Sequence, residues 1–116
     1  MGKINRYFTR EEVSCKCGCG FDVIDAETLN VITAVRERFD SPVYILSAAR
    51  CSKHNAVIGG ASRSKHLTGR AVDIRVKDVA PIEVYSYLDK VHSDRYGLGF
   101  YDSFTHLDTR PEKARW

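Results

Sequence analysis

Apolar residues recur along this chain at two spacings, and the switches between them outline its elements. Leu29, Ile32, Val35 and Phe39 follow helical spacing. Asp25 stands where an N-cap belongs, which predicts a helix from there to about Phe39. Pro42 helps to stop that pattern, and Val43-Tyr44-Ile45-Leu46 then reads as a buried strand. Ala71-Val72-Asp73-Ile74-Arg75-Val76 predicts a second strand, with Ala71, Asp73 and Arg75 on one face. Pro81 suits an early position in another substantial helix, whose Val84, Leu88 and Val91 recur four and seven residues on. Gly97 and Gly99 punctuate the last strand region, and Tyr101-Asp102-Ser103-Phe104 predicts the tight turn of a hairpin. Smaller signals are a capping box at Thr9-Arg10-Glu11-Glu12, a brief helix near 52–57 and a flexible turn at Ile58-Gly59-Gly60-Ala61.

Helices on one side of a mostly antiparallel sheet make an α+β domain. The 116 residues contain no repeat, low-complexity tract or linker, so one domain over 1–116 is expected. A hydrophobic share of 43% and a charged share of 28% fit a soluble globule. The net charge of +3 is mildly basic, and without a block of like charges it argues against a nucleic-acid partner. No apolar run is long enough to insert into a membrane, and no charged-then-apolar stretch resembles a signal peptide. A monomer made in the cytoplasm is the expectation.

One charge disturbs the apolar pattern. Asp73 sits inside a strand that otherwise buries, which is costly unless a cation or hydrogen bonds compensate it. His66 precedes it by seven residues, with Gly69 to turn the chain between them, and His106 lies downstream. Two histidines and a carboxylate are a typical ligand set for a catalytic zinc that keeps a position open. Water bound there is acidified and can attack a carbonyl. The rival reading pairs Asp73 with Arg70, Arg75 or Arg50 as an ion pair. His54 and His92 read as structural or solvated.

Ser64-Lys65-His66-Leu67-Thr68-Gly69-Arg70-Ala71-Val72-Asp73, followed by Thr105-His106-Leu107-Asp108, resembles the signature of the M15-type D-alanyl-D-alanine peptidases. That group includes zinc carboxypeptidases, dipeptidases and phage endolysins, and shares its fold with the Hedgehog signalling domain. Ser47-Ala48-Ala49-Arg50, the stretch from Asn55 to Gly60, Gly97 to Tyr101 and the closing Lys113-Ala114-Arg115-Trp116 extend the resemblance over nearly the whole chain. It implies zinc held by His66, Asp73 and His106, and an Arg50 that binds the substrate carboxylate or polarises its carbonyl. Ser64 would donate to the substrate or orient His66, or else cap a turn. Many such proteins carry an acidic residue three positions before the last zinc histidine, where this chain has Ser103. Asp108, on the same strand face as His106, is therefore the expected general base, with Asp102 on the turn as the runner-up.

Cys15, Cys17 and Cys19 alternate with Lys16 and Gly18, and Cys51 follows Arg50. The favoured expectation is reduced thiols packed in the core. A disulfide to Cys51 and a second, cysteine-bound zinc are the alternatives. The resemblance implies a zinc peptidase cutting stem or cross-bridge peptides of peptidoglycan, as a phage-type lytic endopeptidase reaching the wall after release. A bacterial D-Ala-D-Ala carboxypeptidase is one alternative. A zinc-containing cell-wall-binding or structural phage protein without catalysis is another.

Overall fold

The computed structural model describes residues 4–60 and 64–116, so Ala61 of the expected turn lies outside the described residues. Thr9 caps the short helix α1 (Arg10–Val13) with both halves of the capping box in place. Asp25 caps α2 (Ala26–Phe39), accepting from the Glu27 N–H. Asp40 ends that helix in a left-handed conformation, two residues before Pro42. Strand β1 (Val43–Ser47) follows, then α3 (Ser52–Val57) and a 3-10 turn over Lys65–Thr68. Strand β2 (Ala71–Val76) leads to α4 (Pro81–Val91), with Pro81 in the first turn. The hairpin β3 (Gly97–Phe100) and β4 (Thr105–Asp108) comes next, and β5 (Ala114–Arg115) closes the chain.

The five strands form one sheet in the order β1-β2-β4-β3-β5. Pairing is antiparallel except at β3 and β5, where two residues run parallel. This is the expected α+β arrangement. The alternation of side chains divides the sheet chemically. Val72, Ile74 and Val76 of β2, Leu98 of β3 and Leu107 of β4 face the core with Val31, Ile32 and Val35 of α2 and Val84 and Leu88 of α4. Val91, expected on the buried stripe, is instead exposed, because it falls on the last residue of α4. Thr28 of α2 is also buried, and its hydroxyl meets that of Thr109 at 2.8 Å.

The opposite sheet face carries Asp73, His106 and Asp108. A bulge near the end of β1 skips Leu46 and places Ser47 opposite Asp73. An extra residue of this kind bends its strand and re-aims the chain beyond it. The segment leaving β1 thereby reaches the 3-10 turn, where the Arg50 N–H donates to the His66 carbonyl at 3.1 Å.

Candidate metal centre

Three elements contribute one side chain each. Ser64 caps the 3-10 turn, its hydroxyl accepting from the His66 N–H at 3.2 Å, and Gly69 closes the turn at φ 71°. His66 is buried by this packing, and its Nδ1 lies 2.7 Å from the Ala48 carbonyl. A carbonyl only accepts, so Nδ1 carries a proton and Nε2 is the nitrogen turned toward Asp73. That Nε2 stands 3.4 Å from Asp73 Oδ2. Asp73 and His106 are directly paired across β2 and β4, and His106 Nδ1 approaches Asp73 Oδ1 at 2.8 Å. Ligand atoms of His66, Asp73 and His106 all lie within 4.8 Å of one another. Metal ligands of this type characteristically have the far ring nitrogen fixed by a carbonyl or carboxylate. Both imidazoles meet that condition, His66 through Ala48 and His106 through Asp108.

The arginine ion pairs expected as rivals for Asp73 do not form among the described residues. Arg70 reaches Glu27 and the Thr109 carbonyl, Arg75 lies over the Tyr44 ring, and Arg50 contacts Asn55 and Ser47. Asp73 has the two histidines instead. Burial raises its pKa, but hydrogen bonds from His106 and His66 and their positive charge outweigh that and bring it to about 2. Burial lowers the pKa of His106, but hydrogen bonds to Asp108 and Asp73 and their negative charge raise it to about 8. In the metal-free protein a proton thus occupies the place that a cation would take.

Asp108 is fully buried under this pair. Its Oδ2 lies 2.9 Å from His106 Nε2, and Arg110 grips the same carboxylate with Nε at 2.7 Å and Nη2 at 2.8 Å. Burial alone would raise its pKa, yet His106 and Arg110 hold it far below the usual carboxylate range. Gly97 makes the room. It pairs with Asp108 across the hairpin, and a Cβ there would lie 2.5 Å from both carboxylate oxygens.

The remaining candidates spread outward. Arg50 donates from Nη1 to Asn55 Oδ1 at 3.0 Å and from Nη2 to Ser47 Oγ at 3.3 Å, beside the strand position opposite Asp73. Its buried Nε has no hydrogen-bond partner among the described residues. Asp102 and Ser103 line a cleft with Ile74, Val79, Pro81 and Thr105, where the core-facing positions of β2 and β4 emerge. His54 lies in α3, while His92 caps α4 with its ring 4.7 Å from that of Tyr96.

Sequence reasoning missed two residues. Trp116 sets its indole 5.2 Å from the His106 ring and 5.3 Å from the Arg110 guanidinium, and donates from Nε1 to the Tyr101 hydroxyl. Arg110 itself was legible in principle, since it follows Asp108 at the spacing that keeps two side chains on one strand face. Trp116 was part of the resemblance at the chain's end but had no role assigned, because its place depends on β5 pairing with β3. The cysteines depart from the expected core packing: Cys15 is buried, but Cys17 and Cys19 are exposed, and none forms a disulfide. No helix among the described residues is long and apolar enough to cross a membrane.

The family model described as Peptidase M15 matches residues 6–108, from the N-terminal segment to the end of β4. Comparison with curated proteins finds no match.

Proposed function

Because the chain belongs to the Peptidase M15 family, we propose that it is a zinc peptidase acting on stem or cross-bridge peptides of peptidoglycan. The single observation that carries this reading is the convergence of His66, Asp73 and His106 on one sheet face, with both imidazoles fixed from behind. A zinc ion held by these three residues would supply Lewis acidity toward a peptide carbonyl and a more nucleophilic water at neutral pH. His66 offers Nε2 because Ala48 holds the proton on Nδ1. His106 offers Nδ1 when its Nε2–H donates to Asp108. Asp73 supplies the charge that favours a divalent ion between them.

Asp108 is the general base that sequence spacing favours, and its surroundings support a different emphasis. A base that collects a proton from water needs a reachable oxygen. Here the carboxylate is buried and engaged by Arg110 and His106. We assign it as a positioning residue that acts through His106. Arg50, with a planar fork anchored by Asn55 and Ser47, suits a substrate carboxylate or carbonyl. Ser64 contributes by capping the turn that presents His66.

The engagement of Asp108 also favours a second reading, in which the zinc site serves binding without turnover. Digestion of purified peptidoglycan with and without a chelator, followed by mass spectrometry of the fragments, decides between them. Chelator-sensitive release of peptide fragments is expected, and the fragment masses locate the bond that is cut. Cleavage between linked stems fits a lytic endopeptidase, whereas loss of a terminal residue alone fits a carboxypeptidase. Binding to the polymer with no new fragments would establish the binding module.

A further inference from the structure

We propose that Cys15, Cys17, Cys19 and Cys51 form a second metal site, a four-thiolate zinc centre that staples the N-terminal segment to the loop carrying Arg50. The four Sγ atoms lie within 4.8 Å of one another. Cys15 and Cys17 are 3.5 Å apart, and Cys51 stands 3.7 Å from each of them. Sulfurs bound to one tetrahedral zinc at roughly 2.3 Å stand about 3.8 Å from each other. The thiols are therefore spaced as ligands of a single ion. A disulfide joins only two sulfurs, at about 2.0 Å, and would strand the other pair beside it.

Apolar burial does not account for this convergence. Cys17 and Cys19 are exposed, and exposed thiols gain little hydrophobic free energy by meeting. The backbone must also curl to bring them together. On an extended strand Cys15 and Cys19 would be roughly 13 Å apart. Gly18 at φ 84° and Gly20 at φ 89° supply the left-handed turns, the Gly18 N–H donating to the Cys15 carbonyl and the Cys15 N–H to the Phe21 carbonyl. Two further N–H groups aim at sulfur: Cys51 donates to Cys15 Sγ and His54 to Cys51 Sγ, each at 3.4 Å. Thiolate is the form that binds metal. On binding, each thiol releases its proton to solvent. Four soft sulfurs select zinc over hard cations such as calcium or magnesium.

The position of the site has a consequence for the first one. Cys51 adjoins Arg50, and the Ala49 N–H donates to the Val13 carbonyl. Ala48 holds His66. An ion on the four sulfurs would clamp the chain that follows α1 to the segment that orients both Arg50 and His66.

X-ray absorption at the zinc edge of the purified full-length protein tests this directly. A sulfur shell at about 2.3 Å is expected, and a shell of nitrogen and oxygen alone overturns the proposal. Elemental analysis of His66→Ala/His106→Ala and of Cys17→Ser/Cys19→Ser separates the two centres. Wild type should hold close to two zinc per chain and each double variant about one. In the histidine variant, a folded protein without zinc, or an intact mass showing an internal disulfide, refutes the four-thiolate site. Peptidase activity enters none of these readouts, so a failure of the peptidase reading leaves this test standing.

Discussion

Asp108 is the residue where burial, charge and the metal site meet. Its carboxylate has no exposed surface and holds His106 on one side and Arg110 on the other. Asp108→Asn removes the charge that keeps the His106 ring oriented. Zinc affinity should fall about ten- to a hundredfold, measured by titration against a competing chelator, with turnover falling alongside. Unchanged affinity combined with lost turnover would make Asp108 the proton acceptor after all. His106 gives a pH dependence whose sign is set by its raised pKa. Its protonated form stabilises the metal-free fold fully below about 6.5, and that contribution is lost as pH rises through about 8. The same proton competes with zinc, so affinity should climb from pH 6 to 8 and level off above. A flat titration across that interval would show that His106 is not a ligand.

At the scale of elements, the site depends on how closely β3 and β4 can approach at their ends. Gly97 pairs with Asp108, and the space of its missing Cβ is filled by the carboxylate. Gly97→Ala should cost about 1–3 kcal/mol, as overpacking in a tight interior does, and should weaken zinc by pushing Asp108 off His106. Gly99→Ala is the matched control. A Cβ there meets the indole of Trp116, a half-exposed side chain with room to turn toward solvent. Its stability loss, read by urea denaturation, should be smaller. Equal losses would mean that strand pairing, and not the buried carboxylate, sets the demand for glycine. The bulge in β1 belongs to the same scale, since it places Ser47 opposite Asp73 and brings the Arg50 loop over the site.

For the whole molecule, zinc at the proposed site would cross-link distant parts of the chain. Asp73 and His106 are separated by 33 residues, and His66 comes from a turn outside the sheet. Such a site is absent from the unfolded chain, so binding free energy becomes folding free energy. His66→Ala, Asp73→Ala and His106→Ala should each lower the zinc content by about one equivalent. Chelation should lower the melting temperature of wild type more than that of any of these three. The cysteine site adds its own share, so Cys17→Ser/Cys19→Ser should leave part of the chelator effect in place. A melting temperature indifferent to chelator in wild type would contradict both centres.

Local periodicity determined much of this protein without help from the fold. The spacing of Leu29, Ile32 and Val35, the cap at Asp25 and the alternation through Val72, Asp73 and Ile74 were legible because helix and strand periods act over a few residues. The cost of burying Asp73 likewise announced a partner, and the motif resemblance pointed to His66 and His106. Tertiary structure decided the rest. Spacing along β4 already set Asp108 beside His106, but its burial depended on β2, β4 and β3 lying side by side, which places Ala71, Gly97 and Asp108 together. Asp102 was left by the core-side cleft for the same reason. Trp116 reached His106 only through a two-residue parallel pairing, and Cys51 met the N-terminal thiols across 36 residues. Contacts between such distant residues depend on the whole chain's packing, because no local period encodes which long loop will close on which strand.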